Sequence, residues 1–85
     1  MKTISGVQQF FVTEEPIKLV GVGATYTYQA TGTGSASVYG CNDLIIDDWV
    51  FILSMDVNDS ACVIHSWRYI KSIGDAVVTC SRGSR

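Results

Sequence analysis

Apolar and polar residues alternate along much of this chain with a period of two. In "TYTYQA" (25–30), Tyr26, Tyr28 and Ala30 fall on one side and Thr25, Thr27 and Gln29 on the other. In "SASVYG" (35–40), Ala36 and Val38 oppose Ser35, Ser37 and Tyr39. This pattern marks half-buried strands of an antiparallel sheet with one solvated face. Runs rich in Val, Ile, Thr, Tyr, Phe and Trp recur at 7–12, 17–22, 25–30, 35–40, 48–55, 61–65, 67–72 and 76–81, with turn residues between them. No stretch carries the apolar spacing of an amphipathic helix without a glycine or β-branched cluster interrupting it. About eight short strands at this spacing predict an all-β fold: a single-domain antiparallel β-sandwich or small barrel.

Finer features give local expectations. "VNDS" (57–60) and "IGDA" (73–76) read as turns, the second built on Gly-Asp, "GVGAT" (21–25) as a β-turn, and "TGTGS" (31–35) as a short link. "WVFIL" (49–53) is apolar on both faces, which predicts a central strand or one whose outer face meets another chain. In "WRYIKS" (67–72), continuous alternation puts Trp67 and Tyr69 inward and Arg68 and Ile70 outward, with Arg68 available to a partner or an Asp across the sheet. Residues 1–12 are expected to form a partner-contacting arm or an edge strand. The adjacent Phe10 and Phe11 would then be covered by a neighbouring subunit through strand addition. On that reading, deleting 1–12 weakens assembly more than folding. The tail 82–85 is expected to fray.

With 85 residues the chain fits one domain, and a domain this small has a thin stability margin. Its 47% apolar content argues against disorder, and 16% charged residues is low enough to suggest that a partner covers part of the surface. The six Lys and Arg are scattered and the net charge is −2, so no basic stripe exists to grip phosphate and no nucleic-acid partner is expected. No run reaches the ~20 apolar residues of a membrane span. Polar "TISG" and "QQ" interrupt what would be a signal-peptide core, so no export signal or membrane association is expected.

Candidate chemistry is sparse. The three cysteines, Cys41, Cys62 and Cys80, cannot all pair within one chain, which favours free, buried thiols in a reducing cytoplasm. They contain no Cys-x2-4-Cys spacing, and Cys62 and His65 would point to opposite faces of a strand, against a zinc site. His65, the one histidine, has no nucleophile motif beside it and reads as structural or surface. "DVNDS" (56–60) lacks the order and closing Glu of a calcium loop, and Asp43, Asp47 and Asp48 read as a solvated turn. "GVGAT" lacks the Gly-Lys of a phosphate loop. Tyr26 and Tyr28 share a face that suits core better than a stacking platform, with Tyr39 the further aromatic. No enzyme, metal or cofactor is expected.

Residues 35–80 carry a succession of motifs: Ala36-Val38-Gly40-Asn42-Asp43, then Trp49, a polar turn Asp56–Ser60, "WRYIK" (67–71), Ile73-Gly74 and Ala76-Val78. This order resembles small β-sandwich virion structural proteins of tailed bacteriophages. "WRYIK" is also similar to strands in jelly-roll modules of the discoidin and galactose-binding type, and these resemblances imply a jelly-roll-like antiparallel β-sandwich. The chain departs from the phage pattern at "LII" (44–46), where a small polar turn would stand, and this departure marks a candidate contact surface. The resemblance implies a non-enzymatic virion protein, made in the cytoplasm of a bacterial host. Its role would be capsid decoration or cement, or a small head or tail component, bridging neighbouring subunits. The major capsid protein or other virion proteins would be its partners, in a homo-oligomer. The alternatives are a carbohydrate or host-surface binding module, or a cellular interaction domain of the same fold. Candidate contact residues are Phe10, Phe11, Tyr39, Leu44, Ile45, Ile46 and Arg68.

Overall fold

A computed structural model describes residues 1–21 and 24–83. The strands are β1 (Lys2–Ser5), β2 (Gln8–Val12), β3 (Ile17–Val20), β4 (Ala24–Thr31), β5 (Ser35–Cys41), β6 (Val50–Asp56), β7 (Ser60–His65), β8 (Tyr69–Gly74) and β9 (Val77–Gly83). They form two sheets, ordered β1-β3-β8-β5-β6 and β2-β9-β4-β7. The antiparallel pairings nest: β2 with β9, β3 with β8, β4 with β7, and β5 with β6. The chain is one long hairpin, doubled back at residues 42–49 between β5 and β6 and rolled so that successive strands along each arm fall in alternate sheets. Pairing of β4 with β9 and β5 with β8 closes the roll. This nesting builds the antiparallel β-sandwich that the strand spacing allows, with jelly-roll-like strand order.

The inward rows come from the expected alternation. In one sheet Phe10, Cys80 and Tyr28 stand side by side, with Val12, Val78 and Ala30 in the next row. Ile17, Ile70, Val38 and Ala36 face them from the other sheet. The Gly-Asp turn falls where expected. Gly74 has φ +139° and its α-carbon lies against the Ser35 carbonyl, a place and a conformation that exclude a side chain.

Several expectations need correction. Of the two expectations for residues 1–12 the edge strand holds and the separate arm does not: β1 pairs with β3 in parallel, β2 pairs with β9, and both are edge strands. Ile4, Phe10 and Val12 are core, so Phe10, only 4% exposed, is not a contact residue. β1 itself escaped the sequence reading because its four residues bury only Ile4.

β6 is an edge strand, not a central one. Val38 pairs with Leu53 but Tyr39 with Phe51, leaving Ile52 as the extra residue of a bulge. Without this bulge Phe51 would face inward. With it, Phe51 joins Tyr39 on the outer face.

Tyr69 and Ile70 have the reverse of their expected orientations. Residues 66–68 lie outside any strand, so alternation restarts at Tyr69 and buries Ile70 completely. Trp67 nevertheless packs against the core, as a half-buried side chain.

The chain is ordered as strand through Gly83, with Arg82 only 5% exposed, where fraying was expected. Its guanidinium donates to the Val20 carbonyl at 2.5 Å and the Ile4 carbonyl at 3.4 Å, which holds the strand end down. Residues 22–23 of the expected 17–22 strand and 21–25 turn, and 84–85 of the tail, lie outside the described residues.

Candidate functional site

The tip of the long hairpin, residues 42–49, is the longest link between strands. Its side chains build its shape. Asn42 Oδ1 accepts the Arg68 backbone N–H at 3.2 Å and ties the tip to the β7–β8 link. Asp43 Oδ1 accepts the Ile45 N–H at 2.9 Å, and the Asp43 carbonyl accepts the Asp47 N–H at 3.3 Å. These bonds close one tight turn, which Asp47 leaves at φ 56°, a conformation that Asp tolerates better than bulky residues. The Trp49 indole N–H donates to Asp47 Oδ1 at 2.5 Å, and Lys71 Nζ sits 4.4 Å from the Trp49 ring centre. Beneath the turn Cys41 is buried, and burial raises its thiol pKa.

This scaffold lifts two isoleucines into water. Ile45 is 94% exposed and Ile46 70%, while Leu44 is half-buried. Phe51, 57% exposed, meets Tyr39 edge-on at 5.9 Å on the adjoining outer face. Beside them an open groove of about 260 Å³ is lined by Asn42, Asp43, Ile46, Asp48, Val50 and Trp67.

The roll thus brings Tyr39, Leu44, Ile45, Ile46 and Arg68 to one end. Arg68 is exposed there, and only its backbone has a described role. Phe11 is also exposed but lies on β2, in the other sheet and at the opposite edge. Sequence reasoning missed Phe51, because its facing depends on the bulge, and missed the groove. The spacing of Trp67 and Asp43 along the chain holds no hint that they converge.

A second cluster lies inside the roll. His65 stacks on Tyr26 with ring centres 4.0 Å apart and planes 6° from parallel. Its Nδ1 accepts the Trp67 N–H at 3.3 Å, which leaves the proton on Nε2 to donate to the Tyr28 hydroxyl at 2.9 Å. Tyr28 stands beside the buried Cys80 on the paired strand. Burial lowers the His65 pKa to about 4, with the Arg82 charge adding to the effect, and burial raises Cys80 to about 12. A thiolate–imidazolium nucleophile needs shifts of the opposite sign. Within the cluster, His65 links the Trp67 backbone to the Tyr28 hydroxyl and so satisfies both ring nitrogens. Cys62 lies on the face of β7 opposite His65, as strand alternation predicts, but it is exposed rather than buried as expected. Among the described residues no three His, Cys, Asp or Glu side chains gather in a metal-binding group.

Comparison with known proteins adds no relative: no family model matches the chain, and no curated protein or solved structure matches it significantly.

Proposed function

We propose that this chain is a non-enzymatic virion structural protein of a tailed bacteriophage, a capsid decoration or cement protein that docks through its hairpin tip. The observation that carries the reading is the pair Ile45 and Ile46, held out in water by a turn made of their own neighbours' hydrogen bonds. A turn tip left to solvation alone would carry polar residues, as the resembling phage pattern does at this point. Fully burying an Ile or Phe contributes ~1.5–3 kcal/mol, so Ile45, Ile46 and Phe51 together supply a docking core once association costs are offset. Phe11, on the far edge, offers a second apolar contact, and bridging two neighbouring subunits requires two. Repetition over symmetric sites then makes modest affinities effective. The jelly roll is used by viral capsid and lectin domains, an association at the level of fold only.

A carbohydrate or host-surface binding module is the second reading, favoured by the contact of Tyr39 with the exposed Phe51 on the outer face of the sheet. Tyr39 and Phe51 meet at 75°, however, which gives no coplanar platform for a sugar ring.

The test is co-sedimentation of the tagged protein with phage particles from its source, alongside the Ile45→Asp/Ile46→Asp variant. Saturable binding at a fixed ratio to the shell protein, lost in the variant with unchanged thermal stability, supports the reading. Absence of binding, or binding that the variant retains, overturns docking through the tip, and glycan screening then decides the second reading.

A further inference from the structure

The two tryptophans of the hairpin-tip end stand in related surroundings, with one difference. Trp49 has a carboxylate on its indole N–H (Asp47) and a cation over its ring, Lys71. Trp67 lines a groove together with two exposed acidic residues, Asp43 and Asp48, and among the described residues no cation lies over its ring. Ile46 and Val50 complete the apolar wall. We infer that this groove receives one arginine side chain from an extended segment of a partner protein, flanked there by apolar residues that cover Ile46 and Val50. The inference rests on the reading that this end docks a protein, and adds the partner's chemistry.

Size, shape and charge point the same way. At about 260 Å³ the groove falls below the ~300 Å³ at which small-molecule sites usually begin, so it suits one long side chain. Its apolar wall fits the methylene stem of an arginine, and an indole face is the best aromatic partner for a cation. The planar guanidinium can stack and donate to carboxylates at once, which an ammonium does less well. One oxygen of Asp43 already holds the Ile45 N–H and keeps the carboxylate in place. Complementary charge also rejects acidic partners, because a carboxylate placed between Asp43 and Asp48 would be repelled.

The probes are acetyl-Leu-Arg-Leu-amide and the same peptide with citrulline, the neutral near-isostere of arginine, titrated into the full chain and followed by NMR. The expected result is a saturable shift of the Trp67 indole and of the Ile46 and Val50 methyl signals. Binding should be millimolar, about tenfold tighter for the arginine peptide than for citrulline, and weakened by salt. Asp43→Asn/Asp48→Asn should abolish the difference between the peptides. Asn at 43 keeps an oxygen to accept the Ile45 N–H, so the turn survives. Equal shifts with both peptides, or no shift at Trp67, overturn the inference. So does self-association that is lost in the Asn variant, which would make the occupant a second copy. Particle binding separates the two proposals. If the Asn variant still binds particles and Ile45→Asp/Ile46→Asp does not, docking stands and the arginine site falls. If Ile45→Asp/Ile46→Asp binds normally, the docking reading falls, whatever the peptides do.

Discussion

The indole of Trp67 occupies the space that a side chain at position 40 would need. A β-carbon built on Gly40 would lie 2.5 Å from Trp67 Cγ and 2.9 Å from its Cβ. These are atoms at the root of the side chain, which cannot swing aside as a flexible end would. Gly40→Ala should therefore destabilise the fold by ~1–3 kcal/mol through overpacking. In a Trp67→Ala background the same change should cost little. A double-mutant cycle by urea denaturation checks the coupling, and additive costs would show that the two residues do not compete.

Protons should act on the inner cluster at both ends of the pH range. Folding lowers the His65 pKa from 6.5 to about 4, so between those values the unfolded chain binds more protons. Stability is whole above pH 6.5 and falls as the pH drops toward 4. Cys80 has the opposite sense: its pKa is raised from 9.0 to about 12, so its contribution is whole below pH 9 and fades as the pH rises toward 12. Urea midpoints measured from pH 6.5 to pH 4 should decline less in His65→Gln than in the parent chain, relative to each protein's own midpoint at pH 6.5. Parallel declines would move the acid sensitivity to other groups.

Thiol labelling reads the burial of the cysteines directly. Cys62 is exposed while Cys41 and Cys80 are buried, so the native protein should show one fast thiol per chain and three after denaturation. Cys62→Ser should remove the fast phase and leave the slow ones. A fast phase that persists would mean the interior opens readily.

Truncation of residues 1–12 should abolish cooperative unfolding, the reverse of the expectation that it would chiefly impair assembly. It removes Ile4, Phe10 and Val12 from the core and strips β3 and β9 of edge partners. Near-ultraviolet circular dichroism of the truncated chain checks this, and a native-like spectrum would return the segment to the status of an arm.

The sequence by itself determined the fold class, and it did so through a local signal. A period of two in 25–30 and 35–40 orients Tyr26, Tyr28, Ala36 and Val38 whatever the rest of the chain does, because successive side chains of a strand point to opposite faces. The isoleucine turn was legible only through the resemblance, whose pattern places a small polar turn where Leu44, Ile45 and Ile46 stand. Tertiary structure decided what depends on pairing between distant segments. Of two adjacent phenylalanines only one can face the core, and pairing with β9 made it Phe10. A bulge against β5 turned Phe51 outward, and a break at 66–68 restarted the alternation that would have buried Tyr69. Arg82, tail-like in sequence, is buried because β9 runs between β2 and β4 to its end and two remote carbonyls accept its protons. The groove at the hairpin tip belongs to this second kind. Trp67 and Asp43 meet only because the roll brings the β5–β6 and β7–β8 links to the same end, and no local periodicity encodes which ends will meet.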